Sequence, residues 1–261
     1  SEPKAWWKPA LPERDWKKAV ATHKEAGGWQ FSPKAPRTWQ LNYGDTLRFE
    51  ARLTEGSKHL GVFSEQSAHW KWIEALGKKT RGEPKKALNL FGYTGAATLV
   101  AAKAGFAVTH VDASRPAISW ARHNQTLSGL GNAPIRWILD DALKFLRREV
   151  RRGNRYDLVM LDPPSFGRGR SGEVWKVEVM LPELLELCRQ VFSEQPLAMI
   201  MTLYSLEASP IMLGNLLRQT TEGLKGEVSI GELALKPEAP EIPAQPNWLP
   251  LSLWARWENG V

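Results

Sequence analysis

Cysteine occurs once in the 261 residues, at Cys188, which excludes an internal disulfide and any metal site built on several thiolates. No apolar run is long enough to span a bilayer. The opening stretch Ser1 to Lys18 mixes tryptophan with Lys, Glu and Pro and has no apolar segment of the kind a secretory leader needs. These absences predict a cytoplasmic chain with no membrane partner. Histidine is also scarce, and no pair has the spacing of metal ligands, so no metal is expected. The sequence lacks the Gly-Lys-Ser/Thr that grips a triphosphate and the full GxGxxG that brings a helix N-terminus against a pyrophosphate. A nucleotide-like cofactor without phosphates fits this pattern better.

A hydrophobic content of 43% is enough to bury a substantial core. The formal net charge of +7 suits a polyanionic partner, although ordinary soluble proteins share such values. Thirteen residues are tryptophan, and Trp6, Trp7, Trp16, Trp29, Trp39, Trp70 and Trp72 all lie in the first third of the chain. Covering a small sheet is their plain role, and stacking on nucleobases the sharper one.

Residues 1–36 show little periodicity and read as an extended arm. From Thr38 to Leu53, apolar Trp39, Leu41, Tyr43, Leu47, Phe49 and Ala51 alternate with polar residues around a turn at 42–45, the pattern of paired strands. A helix over Ser67 to Leu76 follows, and the Lys/Arg/Gly/Pro stretch from Gly77 to Lys86 reads as a boundary. It divides an N-terminal portion, 1–84, from a larger domain, 85–261. Within the latter, strands at Ala87–Leu90, Ala107–Val111, Ile135–Ile138, Tyr156–Leu161 and Leu197–Thr202 alternate with helices starting at Ala96, Arg115, Ala142, Pro182 and Ser209. Strand segments near Val228–Leu235 and Leu251–Trp257 close the chain, with Lys236 to Pro250 as a loop between them. The predicted fold class is α/β: a Rossmann-like, mostly parallel seven-stranded sheet with helices on both faces, preceded by a small N-terminal β region.

Ligands of such sheets lie at the C-terminal ends of the strands. Gly92, Asp112, Asp141 and Asp162 all fall at such ends. Leu88 to Gly95 reads as a buried strand, a tight turn and the start of a helix. Asp112, 20 residues beyond Gly92, lies where a carboxylate accepts hydrogen bonds from ribose hydroxyls. Asp162-Pro163-Pro164-Ser165-Phe166 follows a strand, and its two prolines fix a rigid loop with free carbonyls.

These motifs resemble the class I S-adenosylmethionine-dependent methyltransferases, and more closely the bacterial large-subunit ribosomal RNA methyltransferases that modify cytosine C5 or guanine N7. The likeness runs from about Ser57 to Val261 and is carried by several segments: Lys58 to Gln66, Asn89 to Gly95, Asp112-Ala113-Ser114, Asn124, Asp140-Asp141-Ala142, and Asp162 to Gly167. It implies S-adenosylmethionine as cofactor and RNA as partner. Phe91, Gly92, Tyr93, Thr94 and Gly95 would border the cofactor. Asp112 would hold its ribose beside Ala113, Ser114 and Asn124, Asp141 and Ala142 would meet its adenine, and Asp162 would face the transfer site.

Cytosine C5 is a poor nucleophile, and enzymes that methylate it first add a cysteine thiolate to the neighbouring carbon. Relatives that do so carry that cysteine just after the fifth strand, where this chain has Thr202-Leu203-Tyr204-Ser205. Cys188 lies instead at helical spacing with Leu181, Leu184, Leu185 and Val191, on a face expected to pack in the core. A nitrogen acceptor needs no covalent partner and is the expectation here. Asp162 and the Pro163 carbonyl are then the catalytic candidates, Phe63 or Phe166 would stack on the base, and Arg168 and Arg170 would meet phosphates. A protein or small-molecule substrate, and a cofactor-binding module without catalysis, are the competing readings.

Overall fold

The chain is described by a computed structural model over residues 21–24, 28–54, 58–80, 84–168, 174–204, 208–235 and 248–260. Two short antiparallel pairs come first: β1 (Ala21–Lys24) with β2 (Gly28–Phe31), then β3 (Thr38–Tyr43) with β4 (Leu47–Arg52). The second pair follows the alternation read from the sequence. The first pair lies in the stretch expected to be an extended arm, so that part of the arm is a hairpin. Residues 1–20 lie outside the described residues.

A single-turn 3-10 helix, Ser64–Gln66, leads into α1 (Ser67–Lys79). The alternating unit then runs β5 (Lys86–Leu90), α2 (Ala96–Lys103), β6 (Ala107–Asp112), α3 (Arg115–Leu127), β7 (Ile135–Leu139), α4 (Ala142–Arg152) and β8 (Leu158–Leu161). It continues through the β9 (Phe166–Arg168) and β10 (Val174–Lys176) hairpin, α5 (Val177–Gln190), β11 (Ala198–Leu203), α6 (Pro210–Thr220), β12 (Glu227–Leu235) and β13 (Leu249–Glu258).

Seven strands form the main sheet in the order β12-β13-β11-β8-β5-β6-β7. β13 is antiparallel to both of its neighbours, and the pairs from β11 to β7 are all parallel. The central strands are buried on both faces, which is why they read as continuous apolar runs without alternation. One face packs Leu88, Leu90 and Val159 against α4, α5 and α6 through Phe145, Leu184, Cys188 and Leu217. The other packs Ala87, Leu158, Met160 and Ile200 against Trp70, Ile73 and Leu76 of α1 and Leu99 and Val100 of α2, with Leu47 and Phe49 of β4 in the same cluster.

β4 is joined to α3 by hydrogen bonds as well as by packing. Arg48 N–H donates to Ser128 Oγ at 3.0 Å, Glu50 N–H to Asn124 Oδ1 at 2.9 Å, and the Trp120 indole N–H to the Glu50 carbonyl at 2.9 Å. The exposed edge of the strand is thus satisfied by a helix.

Two elements depart from the sequence expectation. α5 begins at Val177, five residues before Pro182, where the sequence pattern starts the helix; it carries Pro182 in its second turn. Burial of Val177 and Leu181, and the Val177 N–H bond to the Ser165 carbonyl at 3.1 Å, offset the one intrahelical bond that a proline omits. The β9–β10 hairpin had no counterpart in the pattern because each of its strands has three residues. The expected loop from Lys236 to Pro250 lies largely outside the described residues, and β13 already begins at Leu249.

Candidate active site

Five strand ends and the segment before α1 enclose one cavity of about 440 Å³. That size accommodates a nucleoside-sized ligand. Its floor is the turn after β5, where two residues that are not glycine take left-handed backbone angles, Phe91 at φ 56° and Tyr93 at φ 48°. Such angles are held only where the surroundings impose them, and they concentrate at functional sites. Gly92 stands between them for lack of space: a Cβ there would lie 2.4 Å from His110 Cε1. The Gly92 N–H donates to the Val111 carbonyl at 3.1 Å, and Gly95, at φ 85°, caps α2.

Asp112 ends β6. Its Oδ2 accepts from the Tyr93 N–H and its Oδ1 from the Ser114 N–H, both at 2.8 Å. Burial pushes this carboxyl up, and the two N–H groups pull it back. One lone pair on each oxygen remains for a ligand hydroxyl. Ser114 caps α3 by accepting from the Ala117 N–H at 3.3 Å, and Asp141 caps α4 by accepting from the Lys144 N–H at 2.9 Å. Asp140 is ion-paired to Arg148.

Asp162 ends β8 and is held by two side chains. The Thr202 hydroxyl donates to its Oδ1, and the Gln66 amide donates to its Oδ2 at 3.2 Å and to Thr202 Oγ1 at 3.4 Å. Burial pushes the Asp162 carboxyl up to about 7; the Thr202 hydroxyl restrains the rise and the Glu65 carboxylate adds to it. Around it stand aromatic rings, with Phe63 at 5.8 Å from Tyr93 and 6.5 Å from Tyr204, centroid to centroid. Burial, then Asp162 and Tyr93, raise the Tyr204 hydroxyl to about 12, so it stays protonated.

Most of the residues singled out from the sequence meet in this cavity: Phe63, Phe91, Gly92, Tyr93, Thr94, Asp112, Ala113, Ser114, Asp141, Ala142 and Asp162 line it. Others stand elsewhere. Asn124 is fully buried behind the turn, donating to the Thr94 carbonyl at 3.0 Å while accepting from Glu50, so it braces the loop without reaching the wall. Gly95 lies beneath the turn, against Ala121 and Trp137. Pro164, not Pro163, lines the cavity, and the Pro164 carbonyl already accepts from the Trp175 indole at 2.6 Å. Phe166 is 53% exposed and outside the lining. The side chain of Arg168 and all of Arg170 fall outside the described residues. Cys188 is fully buried in the core, where burial drives its thiol upward, away from the reactive thiolate.

Gln66, His69, Trp175, Thr202 and Tyr204 also line the cavity and were not picked out from the sequence. Gln66 closes the Lys58 to Gln66 segment that carries part of the resemblance, and Tyr204 lies in the Thr202 to Ser205 stretch of the sequence. Neither stretch signals by itself that it faces Asp162.

Among the described residues lining the cavity there are four aspartates, Asp112, Asp140, Asp141 and Asp162, and no lysine or arginine. Such a wall repels phosphate and suits a ligand that carries hydroxyls, an amine and positive charge. Among the described residues no group of His, Cys, Asp or Glu is arranged to hold a metal ion.

A parallel sheet with a strained turn after its central strand, a carboxylate at the next strand end and Asp-Pro-Pro at the neighbouring one defines a methyltransferase of the Rossmann-like class. Residues 20–193 match the family model described as S-adenosylmethionine-dependent methyltransferase, and the chain belongs to that family, whose cofactor is S-adenosylmethionine. It is 44% identical to a SAM-dependent methyltransferase from Agrobacterium tumefaciens, with a TM-score of 0.91 over 97% of this chain and 82% of that one. It is 45% identical over 92 residues, 35% of the chain, to a protein of Syntrophotalea carbinolica named ribosomal RNA large subunit methyltransferase K/L. Over 140 residues, 53% of the chain, it is 34% identical to the protein of that name from Shewanella frigidimarina. The aligned parts span 12% and 18% of those two relatives. A magnesium protoporphyrin IX methyltransferase from Synechocystis, solved with bound SAM, shares the fold at 13% identity and a TM-score of 0.52 over 76% of this chain and 80% of that one.

Proposed function

We propose that this chain transfers the methyl group of S-adenosylmethionine to a base of RNA, ribosomal RNA in the first instance, and that the acceptor is a nitrogen. The observation that carries the reading is Asp162, a carboxyl of raised pKa held by Thr202 and Gln66 beside Phe63, Tyr93 and Tyr204, in a cavity with no thiol among the described residues that line it. Phe91 to Thr94 would border the cofactor, Asp112 would accept from its ribose hydroxyls, and Asp141 and Ala142 would meet its adenine. The bound cofactor supplies an electrophilic methyl group on a sulfonium, so the chain's own task is alignment and exclusion of water. Asp162, in its ionised form, accepts a hydrogen bond from an N–H of the acceptor and aims the nitrogen lone pair. Phe63 and Tyr204 offer faces for a planar base turned out of its stack.

The RNA assignment draws on the names of the relatives and on the net charge of +7. Arg168 and Arg170, just after the Asp-Pro-Pro loop, are the proposed phosphate contacts. The helix arginines of α4 have partners of their own, Arg147 with Glu183, Arg148 with Asp140 and Arg152 with Glu149. Residues 1–84 are assigned to substrate binding and 85–261 to methyl transfer. Among the described residues no helix is long and apolar enough to cross a membrane, and we place the enzyme in the cytoplasm.

The test is transfer of labelled methyl from S-adenosylmethionine into RNA from cells lacking the protein, followed by nucleoside mass spectrometry, with a protein fraction in parallel. Label in one N-methylated nucleoside is the expected result. Label in 5-methylcytidine overturns the nitrogen acceptor, and label confined to the protein fraction overturns RNA as substrate.

A further inference from the structure

S-adenosylmethionine ends in an amino acid, and its carboxylate requires a donor. Asp112, Asp141 and the turn after β5 are the groups proposed for the ribose and adenine, yet among the described residues the lining offers no lysine or arginine for that carboxylate. Several of its side-chain donors are already engaged. Both amide hydrogens of Gln66 go to Asp162 and Thr202, the Asn89 amide donates to Thr98 at 2.9 Å, and the Trp175 indole donates to Pro164.

His69 is different. It stands on α1 one turn beyond Gln66, its ring lines the cavity, and it is only 3% exposed. Its Nε2 is buried without a hydrogen-bond partner. Its Nδ1 receives the Arg256 guanidinium, with Nε at 3.1 Å and an Nη closer still. A guanidinium only donates, so Nδ1 must accept and the ring proton must be on Nε2. Burial, with Arg256 beside it, depresses the imidazole to about 2, so the ring is neutral at every working pH. The result is a neutral N–H donor, left without an acceptor by the protein at the usual cost of an unmade buried hydrogen bond.

Arg256 is itself fixed. Its guanidinium lies 4.9 Å from the Trp72 ring centroid and 4.6 Å from that of Trp254, and an Nη donates to the Ala68 carbonyl at 3.1 Å. The Trp254 ring also meets the His69 ring edge-on at 5.8 Å.

The sheet order gives the direction. A cofactor with adenine at the end of β7 and ribose at the end of β6 points its amino-acid end across β5 toward β8 and β11. In register, Trp254 pairs with Thr202 and Arg256 with Ile200, so His69 sits over that side of the sheet.

We propose that the His69 Nε2–H donates to the carboxylate at the amino-acid end of the bound cofactor, and that Arg256 is the positioning residue that fixes and polarises this donor. The inference rests on S-adenosylmethionine as the ligand of this cavity. It does not depend on RNA as the substrate.

Calorimetric titration with S-adenosylhomocysteine, which carries the carboxylate, and with methylthioadenosine, which lacks the amino-acid end, tests it without turnover. His69→Phe is expected to weaken S-adenosylhomocysteine binding by about 10- to 100-fold, the size of a hydrogen bond to a charged group, and to leave methylthioadenosine binding unchanged. Arg256→Met keeps the imidazole and is expected to show the same selective loss, at about 5- to 10-fold. Equal weakening of both ligands, or of neither, in both variants overturns the proposal. Trp70→Phe removes the neighbouring indole N–H; selective loss there, with none in His69→Phe, assigns the carboxylate to Trp70 and overturns it as well. In ¹⁵N-histidine spectra of the wild-type protein, the His69 Nε2–H resonance is expected to move on adding S-adenosylhomocysteine and not methylthioadenosine. A shift with both, or with neither, overturns the assignment.

Discussion

At the β6–β7 end of the cavity, Asp112 and Asp141 are held by backbone N–H groups a few positions along the chain, those of Ser114 and Lys144. The one long-range bond there, from Tyr93 to Asp112, also comes from a backbone N–H. At the β8–β11 end, Asp162 is held by the side chains of Gln66 and Thr202, 96 and 40 positions away. Backbone donors persist through substitution of the residues that supply them, whereas side-chain donors can be removed one at a time. The first end is thus a fixed cradle, and the second is adjustable in charge and orientation.

The sharpest way to break this comparison is Asp162→Ala. It is expected to lower methyl transfer by about 10²- to 10⁴-fold, in the range for a positioned acid or base, with S-adenosylhomocysteine affinity changed less than about 3-fold, since the expected loss lies in the transition state. Full activity in single-turnover assays would remove the catalytic role. Asp112→Ala should do the reverse, weakening S-adenosylhomocysteine binding by about 10- to 100-fold as hydrogen bonds to a charged group are lost; unchanged calorimetric affinity would remove the ribose assignment.

A smaller effect tests adjustability itself. If Asp162 works as a carboxylate, kcat/KM rises as pH climbs through about 7. Thr202→Val removes the hydroxyl that restrains this pKa, so the inflection moves to higher pH, whereas Glu65→Gln removes a neighbouring charge and moves it lower. A pH–rate profile unmoved in both variants would mean that the group observed is not Asp162. The same shift has a stability sign. The folded state holds this proton to about 7 and the unfolded chain only to about 4. The folded state therefore binds more protons between those values, and the contribution of Asp162 to stability, full below about pH 4, is lost as pH rises to about 7. Urea midpoints compared between wild type and Asp162→Asn across that window should show the difference.

The smallest effect is expected at Cys188→Ala. Its thiol is fully buried in the core cluster that also holds Leu184, Leu185 and Leu217, so the variant should cost about 1 kcal/mol of stability and leave turnover intact. A folded but inactive variant would restore a covalent cytosine mechanism.

The cradle was legible in the sequence because its logic is short-range. A buried strand, a tight turn and a carboxylate closing the next strand leave a pattern within about 25 residues, Leu88 to Asp112, and Asp141 falls at a strand end just before the helix that starts at Ala142. Burial of Cys188 was legible for the same reason, from helical spacing alone. Gln66, Thr202, Tyr204 and His69 were not, because nothing local distinguishes a polar residue that faces a cavity from one that faces water. Asn124 stands apart from the lining: it is buried behind the turn and donates to the Thr94 carbonyl.

By itself, then, the sequence determined the parallel α/β order and the strand ends that bear carboxylates. These follow from periodicity and composition, which act between neighbours in the chain. Only the tertiary structure decided which side chains hold Asp162, and that α1 and β13 meet so that the Arg256 guanidinium lies against His69 Nδ1. Those contacts join residues separated by up to 187 positions, and they exist only once the sheet has brought β13 beside β11.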